Sequence, residues 1–344
     1  MPELPKLKDR DQQLVLETLA HTRSAERWSS SARPARQPLL IHAHDVVFLD
    51  VEINGRPARL MLDTGADITI LGSRLADRVG VRALHALPGR LKAMGLAGGV
   101  DGDLSSVRLD IGAARIDNHP VLLVDSSHLE QLSAGTGLML HGVVGWNAVK
   151  ALRITMDRNA GTLDIERSPR RALGRTGLFW VGKPLVTVQS ENGLVMHLVL
   201  DTGTSRSSVS RVLAGEAGLG DGRPDQLPMV GLDGRRTVEG SAHPDIALYA
   251  GGARLVLSTL WAVPQRRRPY GPADGMFGAD ALARGRIVID FGSGEFSISP
   301  LGSNPCRDAD PLTTYRPLIE RWPRTPSSHP TPTRAQAAFP VSVR

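Results

Sequence analysis

One short pattern occurs twice in this chain: two apolar runs broken by an Asn-Gly pair, then Asp-Thr-Gly, at Asp63-Thr64-Gly65 and again at Asp201-Thr202-Gly203. In the first copy Val47-Phe48-Leu49-Asp50-Val51-Glu52-Ile53 reaches Asn54-Gly55, and Ala58-Arg59-Leu60-Met61-Leu62 leads into Asp63. In the second, Leu185-Val186-Thr187-Val188 reaches Asn192-Gly193, and Val195-Met196-His197-Leu198-Val199-Leu200 leads into Asp201. Strand-like runs around Asn-Gly are the signature of a hairpin. Each aspartate therefore stands where a second strand ends in a tight, glycine-dependent loop.

The parallel continues downstream. Val143-Val144-Gly145-Trp146-Asn147-Ala148-Val149 is answered by Met276-Phe277-Gly278-Ala279-Asp280-Ala281-Leu282, and the alternating run from Ile154 to Ile165 by the run from Ile287 to Ile298. The offset between the aspartates is 201 − 63 = 138 and that between the glycines is 278 − 145 = 133. A single Asp-Thr-Gly is most often a surface turn, but a nearly constant offset over four elements indicates an internal duplication. Two carboxylates brought face to face by such a repeat are what acid/base activation of a water molecule needs.

With these motifs the chain resembles an aspartic peptidase. The loop Asp63-Thr64-Gly65-Ala66-Asp67 is similar to the retroviral type, and the doubled single chain is similar to the pepsin layout, over roughly residues 45 to 300. The resemblance is to a bacterial-type, retropepsin-like enzyme with both lobes in one chain. It implies an all-β, two-lobed fold with the cleft between lobes, a polypeptide substrate, no cofactor, and a monomer with pseudo-twofold lobes. By the same resemblance Asp63 and Asp201 are the catalytic dyad. Two carboxyls about 3 Å apart cannot both ionise readily, an effect for which aspartic proteases are the standard example.

The resemblance further implies that Thr64 and Thr202 lock the loops together, that Gly65 and Gly203 allow the close turn, and that Ala66, Asp67 and Thr204 face the substrate. Lobe 2 carries Ser205 where lobe 1 has Asp67, so the half-sites are expected to differ. A glycine-bearing hairpin follows each loop, at residues 94–100 and 230–234, in the place of a flap. None of Tyr249, Tyr270 and Tyr315 lies in the first hairpin, so Gly95, Leu96, Ala97 and Gly98 are similar to a glycine-rich retroviral flap, closing on an extended peptide through its backbone.

The expected organisation is an N-terminal extension over 1–44 with one helical candidate from about Asp11 to Arg27, lobe 1 over 45–167, a basic connector over 168–183, and lobe 2 over 184–300. A Pro- and Arg-rich tail over 301–344 is expected to be disordered. Short helices are expected at 73–79 and 209–214, stopped by Gly80 and Gly215. Aromatic residues make up only 4%, so the cores must rest on Val, Leu, Ile, Met and Ala, while 36 Gly and 24 Pro fit a turn-dense all-β chain.

One cysteine, Cys306, excludes an intramolecular disulfide and leaves the redox compartment open. The opening residues lack the apolar run of a secretory signal, and no long apolar stretch suggests a membrane span, so the chain as written is expected to be unexported, or periplasmic if a leader precedes it. The formal charge of +6 raises the question of nucleic acid. Its basic clusters, such as Arg266-Arg267-Arg268 and the arginines between the halves, lack interleaved aromatic residues, so solvated surface is the expectation and no nucleic-acid partner is. His42 and His44 lack further ligands nearby, so no metal site is expected. No Gly-x-Ser-x-Gly, His-Glu-x-x-His or P-loop pattern points elsewhere. Two rival readings stay open: a catalytically silent peptide-binding module with the same fold, and a basic RNA- or envelope-associated protein whose peptidase fold is incidental.

Overall fold

Asn54 and Gly55 both take positive φ (52° and 80°), the backbone a two-residue hairpin needs, and join the strands Val47–Ile53 and Arg56–Leu62. Val47, Phe48 and Leu49 are all buried, and from Leu49 on burial alternates, with Leu49, Val51 and Ile53 turned to the core. The second hairpin, Pro184–Ser190 with Val195–Leu200, closes through a longer turn. Only Gly193 is left-handed there (φ 88°), and the Ser190 N–H donates to the Leu194 carbonyl at 3.0 Å.

The structure, a computed structural model, describes residues 26–41, 45–84, 91–94, 99–136, 139–169, 177–180, 183–264, 274–283 and 285–299. It is all-β, with a few short helices. In the first half, strand Arg56–Leu62 pairs with Val47–Ile53, then come Gly99–Ile111, Ala114–Val124, Thr69–Gly72 and Gly142–Val144, which returns to Arg56–Leu62 and closes a barrel-like ring. The second half has the same circuit: Val195–Leu200, Pro184–Ser190, Gly234–Ala250, Ala253–Val263, Ser208–Ser210 and Gly275–Phe277. In each ring the short strand before a Gly (Gly142–Val144, Gly275–Phe277) lies parallel to the strand that ends in the aspartate, with Val144 opposite Leu62 and Phe277 opposite Leu200.

A five-stranded sheet joins the halves. Each contributes a hairpin, Leu152–Asp157 with Thr162–Arg167 and Arg286–Asp290 with Glu295–Ser299, and Ile154 pairs with Ile289 across the seam. Leu60, Leu62, Ile154, Met156, Leu198, Leu200, Phe277 and Ile289 belong to one continuous buried cluster running through all three sheets. Each such side chain contributes about 1.5–3 kcal/mol on burial. Edge-on aromatic contacts tie both rings to the shared sheet: Trp146 on Phe291 (centroids 4.8 Å) and Phe277 on Phe296 (5.8 Å).

Several expectations meet the structure at their margins. Helix Ser73–Val79 ends at Gly80, left-handed at φ 73°. The second helix starts at Arg211, where Ser210 caps it by accepting from the Leu213 N–H, and runs to Glu216, so Gly215 lies inside it rather than stopping it. Part of the expected N-terminal extension is built into the sheets: Arg27–Ser30 pairs with Ala114–Val124 and Arg36–Pro38 with Thr162–Arg167. Arg27, expected at the end of a helix, thus opens a strand, Glu26 before it is not helical, and residues 11–25 of that candidate lie outside the described residues. Within the expected connector, Leu178–Trp180 forms an edge strand on Pro184–Ser190. His42, His44, Gly95 to Gly98, Arg266 to Arg268, Cys306 and the tail also lie outside the described residues.

Candidate active site

Each aspartate is set at its loop by the neighbouring short strand. The Asp63 N–H donates to the Val144 carbonyl and the Asp201 N–H to the Phe277 carbonyl, both at 3.0 Å. The loops then turn back on the carboxylates. Asp63 Oδ1 accepts from the N–H groups of Gly65 (2.9 Å) and Ala66 (3.0 Å), and Asp201 Oδ1 from Gly203 (3.0 Å) and Thr204 (3.1 Å).

The loops are tied together by their threonines. Thr64 Oγ1 donates to the Leu200 carbonyl (2.6 Å) and accepts from the Thr202 N–H (3.1 Å), while Thr202 Oγ1 donates to the Leu62 carbonyl (2.8 Å) and accepts from the Thr64 N–H (3.1 Å). These four bonds lie in the core, Thr64 being 0% and Thr202 2% exposed.

The glycines face the opposite carboxylates. A Cβ on Gly65 would fall 2.4–2.6 Å from the Asp201 carboxylate, and one on Gly203 would fall 2.4–2.7 Å from that of Asp63. No side chain fits in either place, so each carboxyl faces the other loop's glycine backbone directly. Burial, and after it the charge of Asp201, pushes the Asp63 carboxyl up to about 7. Burial also raises Asp201. The pair therefore titrates as a unit, holding a shared proton well above the ordinary carboxylate range. One ionised and one protonated carboxyl are a base and an acid within reach of the same water.

Behind each loop sits a second layer absent from the sequence reading. In the first half Asn147 Oδ1 accepts from the Thr69 N–H (2.8 Å) and Oγ1 (3.0 Å), and its amide donates to the Pro120 carbonyl (2.8 Å). The buried His119 spans Thr69 Oγ1 (2.9 Å) and Glu26 (2.8 Å), linking this loop to the N-terminal segment. In the second half Asp280 takes the same place, accepting from the Ser207 N–H (2.9 Å) and Oγ (2.6 Å). Gly145 and Gly278 let these elements close in, since a Cβ would lie 2.5 Å from the Ile68 backbone and 2.8 Å from that of Arg206. Asn147 and Asp280 were visible as equivalent polar residues two places after each glycine.

Of the residues expected to face a substrate, Ala66 and Thr204 have their N–H groups on the aspartates and their carbonyls accepting from the N–H groups of Trp146 (2.7 Å) and Ala279 (2.8 Å). Asp67 is held by Lys183, whose ammonium also donates to the Gly65 carbonyl at 2.7 Å. The sequence reading left Lys183 in the connector. The hairpins follow as expected: Leu91–Met94 pairs with Gly99–Ile111, its tip outside the described residues, and Arg223–Gly231 pairs with Gly234–Ala250. The second reaches across, Leu232 packing on the first half's apolar cluster around Val100, Leu104 and Leu129. The hollow beside it, lined by Gln131, Ala134, Val230, Gly234 and Arg235, contains neither aspartate.

Among the described residues no group of three or more His, Cys, Asp or Glu is placed to hold a metal ion, and no helix is long and apolar enough to cross a membrane. A search of curated proteins finds no match to the chain. Residues 49–148 match the model of a family described as aspartyl protease, a stretch that includes Asp63 and the Gly145-Trp146-Asn147 element but not Asp201. That match, with the all-β aspartic protease fold around it, supports an aspartyl protease family and peptidase chemistry for this chain.

Proposed function

We propose that the chain is a single-chain, two-lobed, retropepsin-like aspartic endopeptidase in which Asp63 and Asp201 together activate a water molecule. The observation that carries this reading is the reciprocal seating of each carboxylate on the opposite loop's glycine, with the threonine bonds holding that arrangement in the core.

In the proposed reaction an extended polypeptide lies in the cleft between the halves. The ionised carboxyl takes a proton from water as it attacks the scissile carbonyl carbon, and the protonated carboxyl gives its proton to the carbonyl oxygen. Collapse of the tetrahedral species breaks the C–N bond: the amine leaves with the proton that the first carboxyl took from water, and a hydroxyl of the tetrahedral carbon returns a proton to the second, restoring the dyad. No residue forms a covalent intermediate. The near-identical circuits of the two halves support an internal duplication, and because each half brings one aspartate, a monomer holds the complete dyad.

The test is cleavage of a diverse peptide pool over a range of acid to neutral pH, wild type beside Asp63→Asn and Asp201→Asn, read by mass spectrometry. Turnover in the wild type and its loss in both variants is expected. A wild type that binds peptides without cleaving them would turn the reading to a silent peptide-binding module, and cleavage surviving in either variant would refute the dyad.

A further inference from the structure

Gly65 stands between two charged groups from the other half of the chain. One side of its backbone lies against the Asp201 carboxylate, close enough that a Cβ would fall 2.4 Å away, and its carbonyl accepts from Lys183 Nζ at 2.7 Å. The same ammonium pairs with Asp67, two residues further along the loop. The lysine side chain is only 20% exposed and that of Asp67 37%, so this is a partly buried ion pair rather than a solvated one.

Among the described residues, the opposite half shows no such pair. Lys183 stands 201 − 183 = 18 residues before its aspartate, and Asp45 stands 63 − 45 = 18 before its own. Asp45 carries the reverse charge and pairs instead with Arg158 (3.2 Å), while Ser205 replaces Asp67. The other charged groups near the loops are Arg206, exposed on the second loop, and Asp280 behind it, hydrogen-bonded to Ser207.

We propose that Lys183 is a positioning residue of this site: it clamps the Asp63 loop through Gly65 and Asp67 and sets one fixed positive charge beside the two carboxylates, on one side of an otherwise paired arrangement. Burial raises both carboxyls, and the Lys183 charge opposes that rise at each of them. The lysine thereby widens the acid range over which the dyad keeps one ionised member. This role rests on the peptidase reading only for its catalytic consequence, since the electrostatics are a property of the folded chain.

The experiment is a pH titration of the full chain with ¹³C-labelled aspartate carboxyls, the dyad signals assigned with Asp63→Asn and Asp201→Asn. Wild type is compared with Lys183→Arg, Lys183→Gln and Lys183→Met. Gln retains a donor for the Gly65 carbonyl without the charge, and Met removes both. The dyad titration is expected to move to higher pH in Gln and Met and to stay near wild type in Arg. An unmoved titration in folded Gln and Met variants overturns the proposal, as does a lysine needed only for folding, shown by Arg folding and neither neutral variant doing so. In parallel, the acid limb of peptide cleavage is expected to move the same way, with about a three- to tenfold loss at low pH and a nearly unchanged plateau. A shifted titration in a protein that cleaves nothing would sink the peptidase reading and leave the Lys183 role standing. Cleavage by the dyad with an unmoved titration would do the reverse.

Discussion

Asp63→Asn, the substitution expected to remove activity, is also expected to make the protein more stable, and only above the ordinary carboxylate value of 3.8. Asp63 is held near 7 in the folded chain against an ordinary value of 3.8. Below 3.8 both the folded and the unfolded chain carry the proton, so the shift has no effect there. As the pH rises the unfolded chain releases its proton while the folded one keeps it, and folding must take up a proton from an ever more dilute supply. The difference of about 3 units at about 1.4 kcal/mol each gives a ceiling of about 4 kcal/mol of destabilisation, complete once the pH passes the folded value. Asn does not titrate, and its side-chain oxygen can still accept from Gly65 and Ala66. The stability of Asp63→Asn relative to wild type is therefore expected to rise from about pH 4 to about pH 7 and then level off. Urea denaturation of both proteins at several pH values across that interval measures it, with the midpoint and slope fitted at each pH. A difference that stays flat would mean that the carboxyls do not hold a shared proton, and the acid-and-base assignment would fall with it.

Thr202→Val is expected to cost about 2–4 kcal/mol in the same assay, because it leaves the buried Thr64 N–H and Leu62 carbonyl without partners, whereas Thr202→Ser keeps both bonds and most of the stability. Gly203→Ala is expected to lower kcat/KM by about 100-fold or more, since its Cβ must displace the Asp63 carboxylate, while Gly215→Ala, with nothing within 4 Å, is expected to raise stability by about 0.5–1 kcal/mol. Exchanging the support residues in place, Asn147→Asp or Asp280→Asn, is expected to cost about 1–3 kcal/mol each. The first loses the donor to the Pro120 carbonyl and the second sets an amide hydrogen against a group that donates, and either variant proving neutral by denaturation would show that these contacts do not hold the loops.

What could be read from the chain beforehand was whatever local chemistry determines. Asn54-Gly55 marked its turn because both residues adopt left-handed backbone, and Gly80 marked a helix end for the same reason. The doubled Asp-Thr-Gly and the Gly145 and Gly278 elements marked the strands that frame the loops, and those strands pair in parallel as neighbours. Contacts between distant segments were not legible. Glu26 reaches His119 and Lys150, and Arg36 reaches Asp164, so Arg27–Ser30 and Arg36–Pro38 read as part of a polar extension although both are strands of the sheets. Lys183 read as connector because nothing in its own neighbourhood announces Gly65 and Asp67, 118 and 116 residues away. Its only local signal was its spacing from Asp201, matched by that of Asp45 from Asp63.

The two loops are alike where the backbone is at stake and unlike where charge is. Both aspartates accept the same pair of loop N–H groups, both threonines cross in the same way, and both glycines close on the opposite carboxylate. Around that frame Asp67 stands against Ser205, Asp45 against Lys183 and Asn147 against Asp280. A site assembled from two identical chains repeats every charge on both sides, so any difference between its carboxyls must come from what binds there. Here both loops are on one chain and the difference is built in. The backbone frame sets each carboxyl against the opposite loop, and in the proposed dyad the unequal charges around them make the two placements of a shared proton unequal before a substrate arrives.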